Sequence, residues 1–333
     1  MSLSQSNSTS ITIGFGTAAL GSKGYETVWT ALDHGFRAFD TAEESDYWYD
    51  QKSVGLALKD YFETIRQICN SKTLSVDGLV SLDRLIAEGK CNQNCKDLRI
   101  ATKIPPWELK SSLHIRLRAE DSRSTLVGFC DDEDDGKHQL DVYYIHAPEC
   151  WDGWHTRCTG VQNILSLRNA WLGMEGVVFD GTAKRIGLSN VHPWQLLDII
   201  NFVSERKANF DGDGIPPQYP SVVQAYADPL NPSKELRDIC RTHGMEFVSY
   251  STLGTQHHMK DGTNPVLGNA DIIRIAKKYN RSNAEVVLSW ALQHGMSIIP
   301  RSTNPDHIKE LSNLLSGETI LNDIDMSIID SLN

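Results

Sequence analysis

HGFRAFDTAEESDYWYDQKSVG, residues His34 to Gly55, passes through three kinds of local structure. Phe36-Arg37-Ala38-Phe39 is apolar and β-prone and ends on the carboxylate of Asp40. An acidic, aromatic loop follows with Tyr47, Trp48 and Tyr49, and the chain turns helical at Ser53-Val54-Gly55. Two later stretches repeat the arrangement. Leu98-Arg99-Ile100-Ala101-Thr102 ends on Lys103, and Leu140-Asp141-Val142-Tyr143-Tyr144-Ile145 ends on His146, each with a proline within three residues. A carboxylate, a phenol, an ammonium and an imidazole thus sit at or just after the carboxyl ends of consecutive strands. In a barrel of parallel strands those ends share one face, where catalytic groups from different strands converge.

Working outward, Ile11 to Thr17 reads as the first strand, preceded by a polar segment, 1–10, that is expected to be disordered. Gly14-Phe15-Gly16 resembles the start of a dinucleotide fingerprint, but no glycine stands at the sixth position, so the glycines are read as tight backbone at a strand end. Thr30 to His34 closes a helix with Gly35 in C-cap position. Further strands end at Ser189-Asn190, Gln224, Tyr250-Ser251 and Arg301-Ser302, which makes eight. A length of 333 residues suits one α/β barrel with insertions, and residues 11–333 are assigned to a single (β/α)8 TIM barrel. The helix Asn283 to Gln293, capped by Ser282, buries Val286, Val287, Trp290 and Ala291 and is structural.

The formal charge of -11 opposes nucleic acid as a partner, because phosphate backbones need a basic footprint. No apolar run has the length to span a bilayer, and MSLSQSNSTS lacks the charge and apolar core of a signal peptide, so no membrane partner and a cytoplasmic location are expected. Seven scattered cysteines, at 69, 91, 95, 130, 150, 158 and 240, do not read as a disulfide framework. Cys91 and Cys95 are taken as free surface thiols rather than metal ligands, and no metal site is expected. The acidic run Cys130 to Lys137 lies at the amino end of the strand before His146, opposite the chemistry, and reads as a solvated loop.

The motifs FDTA (39–42), ATK (101–103), YYIHAPE (143–149), KRIGLSN (184–190), VVQAY (222–226), VSYSTLG (248–254) and IIPRSTN (298–304) stand in one order along the chain. Together they resemble the aldo-keto reductase family over nearly its whole length. Against that pattern an insertion, about 62–96, separates the helix after the second strand from the lysine strand, with Leu79, Leu82, Leu85 and Ile86 at helical spacing. It reads as a helical segment that either packs on the barrel flank or offers a partner surface.

The resemblance implies a catalytic tetrad of Asp40, Tyr49, Lys103 and His146. Tyrosine would donate a proton to the carbonyl oxygen, lysine would lower the phenol's pKa, Asp40 would hold the ammonium, and His146 would orient the carbonyl. The loop is longer than in many members, whose tyrosine position holds Ser45 here; the Trp48-Tyr49 pair favours Tyr49, with Tyr47 the other candidate. NADP(H) is the implied cofactor, because no side chain supplies hydride. Thr17, Ser189, Asn190, Gln224, Tyr250, Ser251, Leu253, Arg301, Ser302, Thr303 and His307 match positions that bind it. His307 and Leu311 stand where members often carry arginine and asparagine, which keeps NADPH favoured but with weaker discrimination against NADH. Tyr47, Trp48, Trp151 and Trp154 are expected at the substrate; the two later tryptophans line a pocket or pack on neighbouring helices. The implied activity is reduction of an aldehyde or ketone by a monomer or weak homo-oligomer. A cofactor-binding regulatory subunit and a biosynthetic dehydrogenase working oxidatively are the alternatives.

Overall fold

Eight strands pair in chain order, every neighbour parallel: β1 (Phe15–Gly16), β2 (Ala38–Asp40), β3 (Arg99–Ile104), β4 (Leu140–Ile145), β5 (Ala183–Ser189), β6 (Val222–Tyr226), β7 (Glu246–Tyr250) and β8 (Ser297–Ile298). The seam closes where Ile13 bridges Ile298 and the amides of Gly14 and Gly16 donate to the carbonyls of Ile298 and Pro300 at 2.8 and 3.0 Å. A Cβ on Gly16 would lie 2.7 Å from the Ile299 carbonyl oxygen, so the tight backbone read at these glycines is the contact that lets the barrel close. The computed structural model describes residues 11–44, 48–71, 88–92, 94–131, 136–151, 154–160, 164–318 and 320–333. Residues 1–10, Tyr47, the expected helix through Leu79, Leu82, Leu85 and Ile86, and most of the acidic run lie outside them.

Helices alternate with the strands: α1 (Gly24–Asp33), α2 (Gln51–Ser71), α3 (Ser112–Val127), α4 (Leu167–Phe179), α5 (Pro193–Ala208) and α6 (Lys234–Thr242). After β7 come α7 (Thr255–Asp261), α8 (Ala270–Tyr279) and α9 (Asn283–Gln293), and β8 leads to α10 (Pro305–Ser312) and α11 (Asp323–Asp330). Local sequence sets their ends. Gly35 adopts φ +92° just past α1, where its amide and that of Phe36 bond back to Leu32 and Ala31 and satisfy the last carbonyls of the helix. Ser282 and Glu285 form a reciprocal capping box at the start of α9, which buries Val286, Val287, Trp290 and Ala291.

Side chains alternate across the sheet. Val142, Tyr144, Val222 and Val248 pack inside the barrel, whereas Tyr143, Ile145, Ile186 and Leu188 join the larger apolar layer between sheet and helices. Asp40 pairs with Ala101, so Lys103 lies two residues further along β3 on the same face. The first strand is shorter than Ile11 to Thr17, β6 runs two residues beyond Gln224, and β8 stops three residues before Arg301.

The cysteine reading is corrected. Cys69, near the end of α2, is disulfide-bonded to Cys91, and Cys150 to Cys158, with Cα atoms 5.7 and 5.4 Å apart. Cys95, expected as a surface thiol beside Cys91, is buried, as are Cys130 and Cys240. Pairing needs Cα atoms within about 7 Å, a property of the fold rather than of spacing along the chain. Beside the first disulfide Lys90 is 5% exposed and pairs with Asp33 of α1 at 2.7 Å and with Glu88 at 2.8 Å, which anchors the returning end of this segment to the barrel. Among the described residues no helix is long and apolar enough to cross a membrane.

Candidate active site

Asp40 closes β2 and Lys103 lies one residue before the end of β3, and both are buried at the carboxyl end of the barrel. The Lys103 ammonium donates to Asp40 Oδ1 at 2.5 Å and to the Thr41 carbonyl at 2.8 Å. The other carboxylate oxygen of Asp40 accepts from the Gln224 side-chain amide at 2.8 Å. Thr17 fixes the backbone here, its amide and hydroxyl both donating to the Asp40 carbonyl at 3.0 Å. A charge pair removed from water needs further partners for its donors and acceptors, and here the Thr41 carbonyl and the Gln224 amide supply one to each side.

Tyr49, on the loop entering α2, places its ring centroid 5.5 Å from the Lys103 nitrogen and 5.9 Å from the His146 ring in an edge-on arrangement. Its phenol is held well above its ordinary pKa, first by burial and then by the carboxylates of Asp40 and Glu44, with Arg301 opposing them. The lowering expected from Lys103 is therefore not the balance found. With its ammonium locked on Asp40, the lysine presents Tyr49 with a nearly neutral pair rather than a free cation.

His146 directly follows β4; its amide donates to the Ile104 carbonyl at 2.9 Å and its carbonyl accepts from the Asn190 side chain at 2.9 Å. Its Nδ1 lies 2.5 Å from Oε1 of the buried Glu44, a close contact whose geometry is not that of a directed hydrogen bond. Its ring meets Trp154 edge-on at 5.3 Å. Trp154 stacks on Trp151 at 4.1 Å and meets Trp107 at 5.6 Å, while Trp107 stacks on His155 at 4.7 Å. Trp154 thus packs on other aromatics, in a cluster that lies beside His146. Trp151, 47% exposed, is its outer edge. The Cys150–Cys158 disulfide ties the two ends of this loop together. Trp48 is half-buried, its carbonyl accepting from the Ala19 amide at 2.6 Å.

Three residues here were not singled out from sequence: Trp107, Glu43 and Glu44. Trp107 follows the lysine strand as Trp151 and Trp154 follow the histidine strand, so the same reasoning would have found it. Glu43 accepts from the Tyr143 phenol at 2.6 Å, from Ser122 at 2.8 Å and from Arg118 at 2.8 Å, and burial pushes its pKa up to about 7 against those stabilising partners. An acidic pair on a loop carries no signal of burial, so neither glutamate was legible.

The other side of the face is built by β5 to β8. Ser189 is buried, and Asn190, at φ +55°, accepts from the Tyr250 phenol at 2.6 Å. Ser251, at φ +53°, accepts from Gln256 at 3.3 Å, and Leu253 is half-buried. Gln224 links this side to Asp40, since its amide is committed to that carboxylate. Arg301 is exposed and makes no ion pair among the described residues; beside it stand Ser302, Thr303 and, 3.4 Å from the Ser302 hydroxyl, His307. An unpaired guanidinium with hydroxyls on the segment entering α10 suits a phosphate, and the half-buried ring of Tyr250 offers a face to a planar group. These residues fit a phosphate-bearing dinucleotide.

A family model described as aldo/keto reductase matches residues 12–333. The chain belongs to that family. As an aldo-keto reductase it is an NAD(P)H-linked oxidoreductase, and its barrel has the expected (β/α)8 form. Aldose reductase B of Dictyostelium discoideum is 28% identical over 335 residues, taking in 96% of this chain and 88% of that protein. Aldo-keto reductase family 1 member A1 of Xenopus tropicalis is 32% identical over 208 residues, a match spanning 58% of this aldo-keto reductase and 57% of the relative. Among solved structures, the aldose reductase of Schistosoma japonicum superposes with a TM-score of 0.69 over 96% of this chain and 88% of that one, at 20% identity, which establishes the shared fold.

Proposed function

We infer that the protein reduces an aldehyde or ketone to the alcohol with NADPH, and that Tyr49 gives the proton to the carbonyl oxygen. The observation that carries this reading is the convergence of Tyr49, His146 and the buried Asp40–Lys103 pair at the carboxyl ends of β2, β3 and β4. The nicotinamide, when bound, supplies the hydride that the carbonyl carbon accepts. Ser189, Asn190, Gln224, Tyr250, Ser251 and Leu253 would hold that end, and Arg301, Ser302, Thr303 and His307 the adenosine phosphate. A carbonyl oxygen between Tyr49 and His146 would meet two groups able to share the charge developing on it. Trp48, Trp154 and Trp151 form the apolar side of the pocket and exclude water. Residues 11–333 act as one unit and the segment about 62–96 as an appendage to it; the enzyme would work as a monomer or weak homo-oligomer. The compartment is tied to the cysteines: disulfides persist poorly in a reducing cytosol, so a cytoplasmic enzyme would hold Cys69–Cys91 and Cys150–Cys158 largely open.

The test is consumption of NADPH against a panel of aldehydes, ketones and sugars, with NADPH and NADH titrated into wild type and Arg301→Ala. Reduction of at least one class and a loss of NADPH affinity of about tenfold or more in the variant are expected, from the 1.5–3 kcal/mol of hydrogen bonds to charged groups. No turnover with any carbonyl would overturn the activity, and equal wild-type affinities for the two cofactors would overturn the NADPH preference.

A further inference from the structure

Glu44 is a loop carboxylate only 5% exposed, whereas the other loop acids among the described residues mostly face water. Its Oε1 is shut off from solvent and has no partner among the described residues except His146 Nδ1, 2.5 Å away, which is itself buried and otherwise unpartnered. The backbone holds it there: the Glu43 amide donates to the Lys103 carbonyl at 3.1 Å, and the Glu44 carbonyl accepts from the Tyr49 amide at 3.4 Å. Burying a carboxylate against an imidazole nitrogen is costly unless the imidazole carries a proton on that nitrogen.

We propose that Glu44 is a positioning residue that keeps the proton of His146 on Nδ1 and favours its imidazolium, so that Nε2 is directed to the substrate oxygen and donates to it. The inference deepens the reductase reading and rests on it. As the carbonyl carbon gains hydride, the oxygen takes its one proton from Tyr49, and the Nε2–H of His146 stays on nitrogen as a hydrogen bond to that oxygen with Nδ1–H toward Glu44. The carboxylate stays ionised throughout, as in other carboxylate–histidine pairs. Solvent then restores the Tyr49 proton. A second hydrogen-bond donor to the oxygen matters here because burial and the nearby carboxylates make the Tyr49 phenol reluctant to ionise.

Among the described residues, the charged and titratable groups that face this pair are few. Tyr49 stands on the loop into α2, and Glu43 shares the loop after β2. A small polar cavity beside Glu44 is lined by Glu43, by Glu108 after β3, by Arg118 of α3 and by His155 and Arg157 of the loop after β4. Glu43 is already matched by Arg118, Ser122 and Tyr143, and Glu108 by Lys110 and His114, which leaves Glu44 as the carboxylate that faces His146.

The deciding measurement does not need turnover. In protein labelled with nitrogen-15 histidine, with the His146 resonances assigned from His146→Gln, wild type is expected to carry protons on both Nδ1 and Nε2. In Glu44→Ala the Nδ1 proton is expected to be lost, leaving a neutral ring protonated on Nε2. A bare Nδ1 in wild type, or an unchanged tautomer in Glu44→Ala, overturns the proposal. With a substrate from the panel, the near-isosteric Glu44→Gln should lower kcat by about 10–100-fold, the range for lost groups that orient a functional histidine. Cofactor affinity should stay unchanged, and the limb of the pH profile set by the imidazolium should move to lower pH. Glu44→Gln/His146→Gln should be no slower than His146→Gln alone; independent, multiplying losses would show that Glu44 does not act through His146. If wild type reduces nothing, the reductase reading fails while the tautomer still decides the Glu44–His146 relationship.

Discussion

The ammonium of Lys103 lies 2.5 Å from the carboxylate of Asp40 and 5.5 Å from the ring centroid of Tyr49, with both members of the pair buried. Removing one partner leaves the other charge in the barrel with no compensation, and broken buried pairs cost about 3–5 kcal/mol. Lys103→Met is therefore expected to lower unfolding free energy by that amount, whereas Lys103→Met/Asp40→Asn recovers a large part of it. Denaturant titration of the three proteins checks this. A double variant as unstable as the sum of the singles would mean the two groups are not energetically one unit.

Tyr49→Phe tests the proton donor directly. The ring keeps its place against His146 and Lys103, so packing and NADPH affinity should change little. Turnover is expected to fall by at least about a hundredfold, the lower range for general acid catalysis. Steady-state kinetics beside a cofactor titration separate the two effects. A variant with near wild-type turnover would pass the donor role to another group, with Tyr47 the first to examine.

How much of this site can be read from sequence depends on whether a residue's role follows from its place on a strand. Asp40, Lys103 and His146 could be placed on one face because the same form, a β-prone run that halts on an ionisable side chain, recurs at β2, β3 and β4, and their expected roles came from the resemblance of the surrounding motifs. The barrel was visible through the same repetition. Burial of Glu43 and Glu44 was not, because their surroundings come from Arg118, Ser122, Tyr143 and His146, 75 to 102 residues away along the chain. The phenol of Tyr49 shows the same limit: a lysine nearby in the fold was foreseeable, its neutralisation by Asp40 at 2.5 Å was not. The disulfides likewise depend on Cα distances that spacing does not encode.

Glu43 should make stability depend on pH. Its ordinary pKa of 4.5 is raised to about 7 in the folded protein, chiefly by burial. Between those values the folded state holds a proton that the unfolded chain has lost, so its contribution is fully present below pH 4.5 and is lost as pH rises through about 7. The fall would be up to about 3 kcal/mol at 1.36 kcal/mol per pKa unit. Glu43→Gln, which cannot ionise, should flatten this part of the profile. Thermal or denaturant unfolding of both proteins at several pH values between 4.5 and 8 reads it. A wild-type profile with no such decline relative to the variant would mean that Arg118 and Tyr143 hold Glu43 ionised.

The Cys150–Cys158 bond closes the loop that carries Trp151 and Trp154 over His146, and this gives the cysteines a consequence for substrate binding. Trp154 has aromatic neighbours on three sides, Trp107, Trp151 and His146, so its position depends on the loop ends being held together. Opening the bond returns conformational freedom to the loop, and a pocket whose wall is ordered only part of the time binds with an affinity reduced by that fraction. Cys158→Ser is expected to raise KM for the carbonyl several-fold while kcat changes less than about twofold, because neither Tyr49 nor His146 is held by this loop's ends. Wild type treated with a dithiol reductant should behave like the variant, and the reductant should have no further effect on KM in Cys158→Ser. Thiol titration of unfolded protein gives the independent count: Cys95, Cys130 and Cys240 react without reductant, and all seven cysteines react after it. Seven reactive thiols in both conditions would remove the bond from the active protein and with it the expected change in KM.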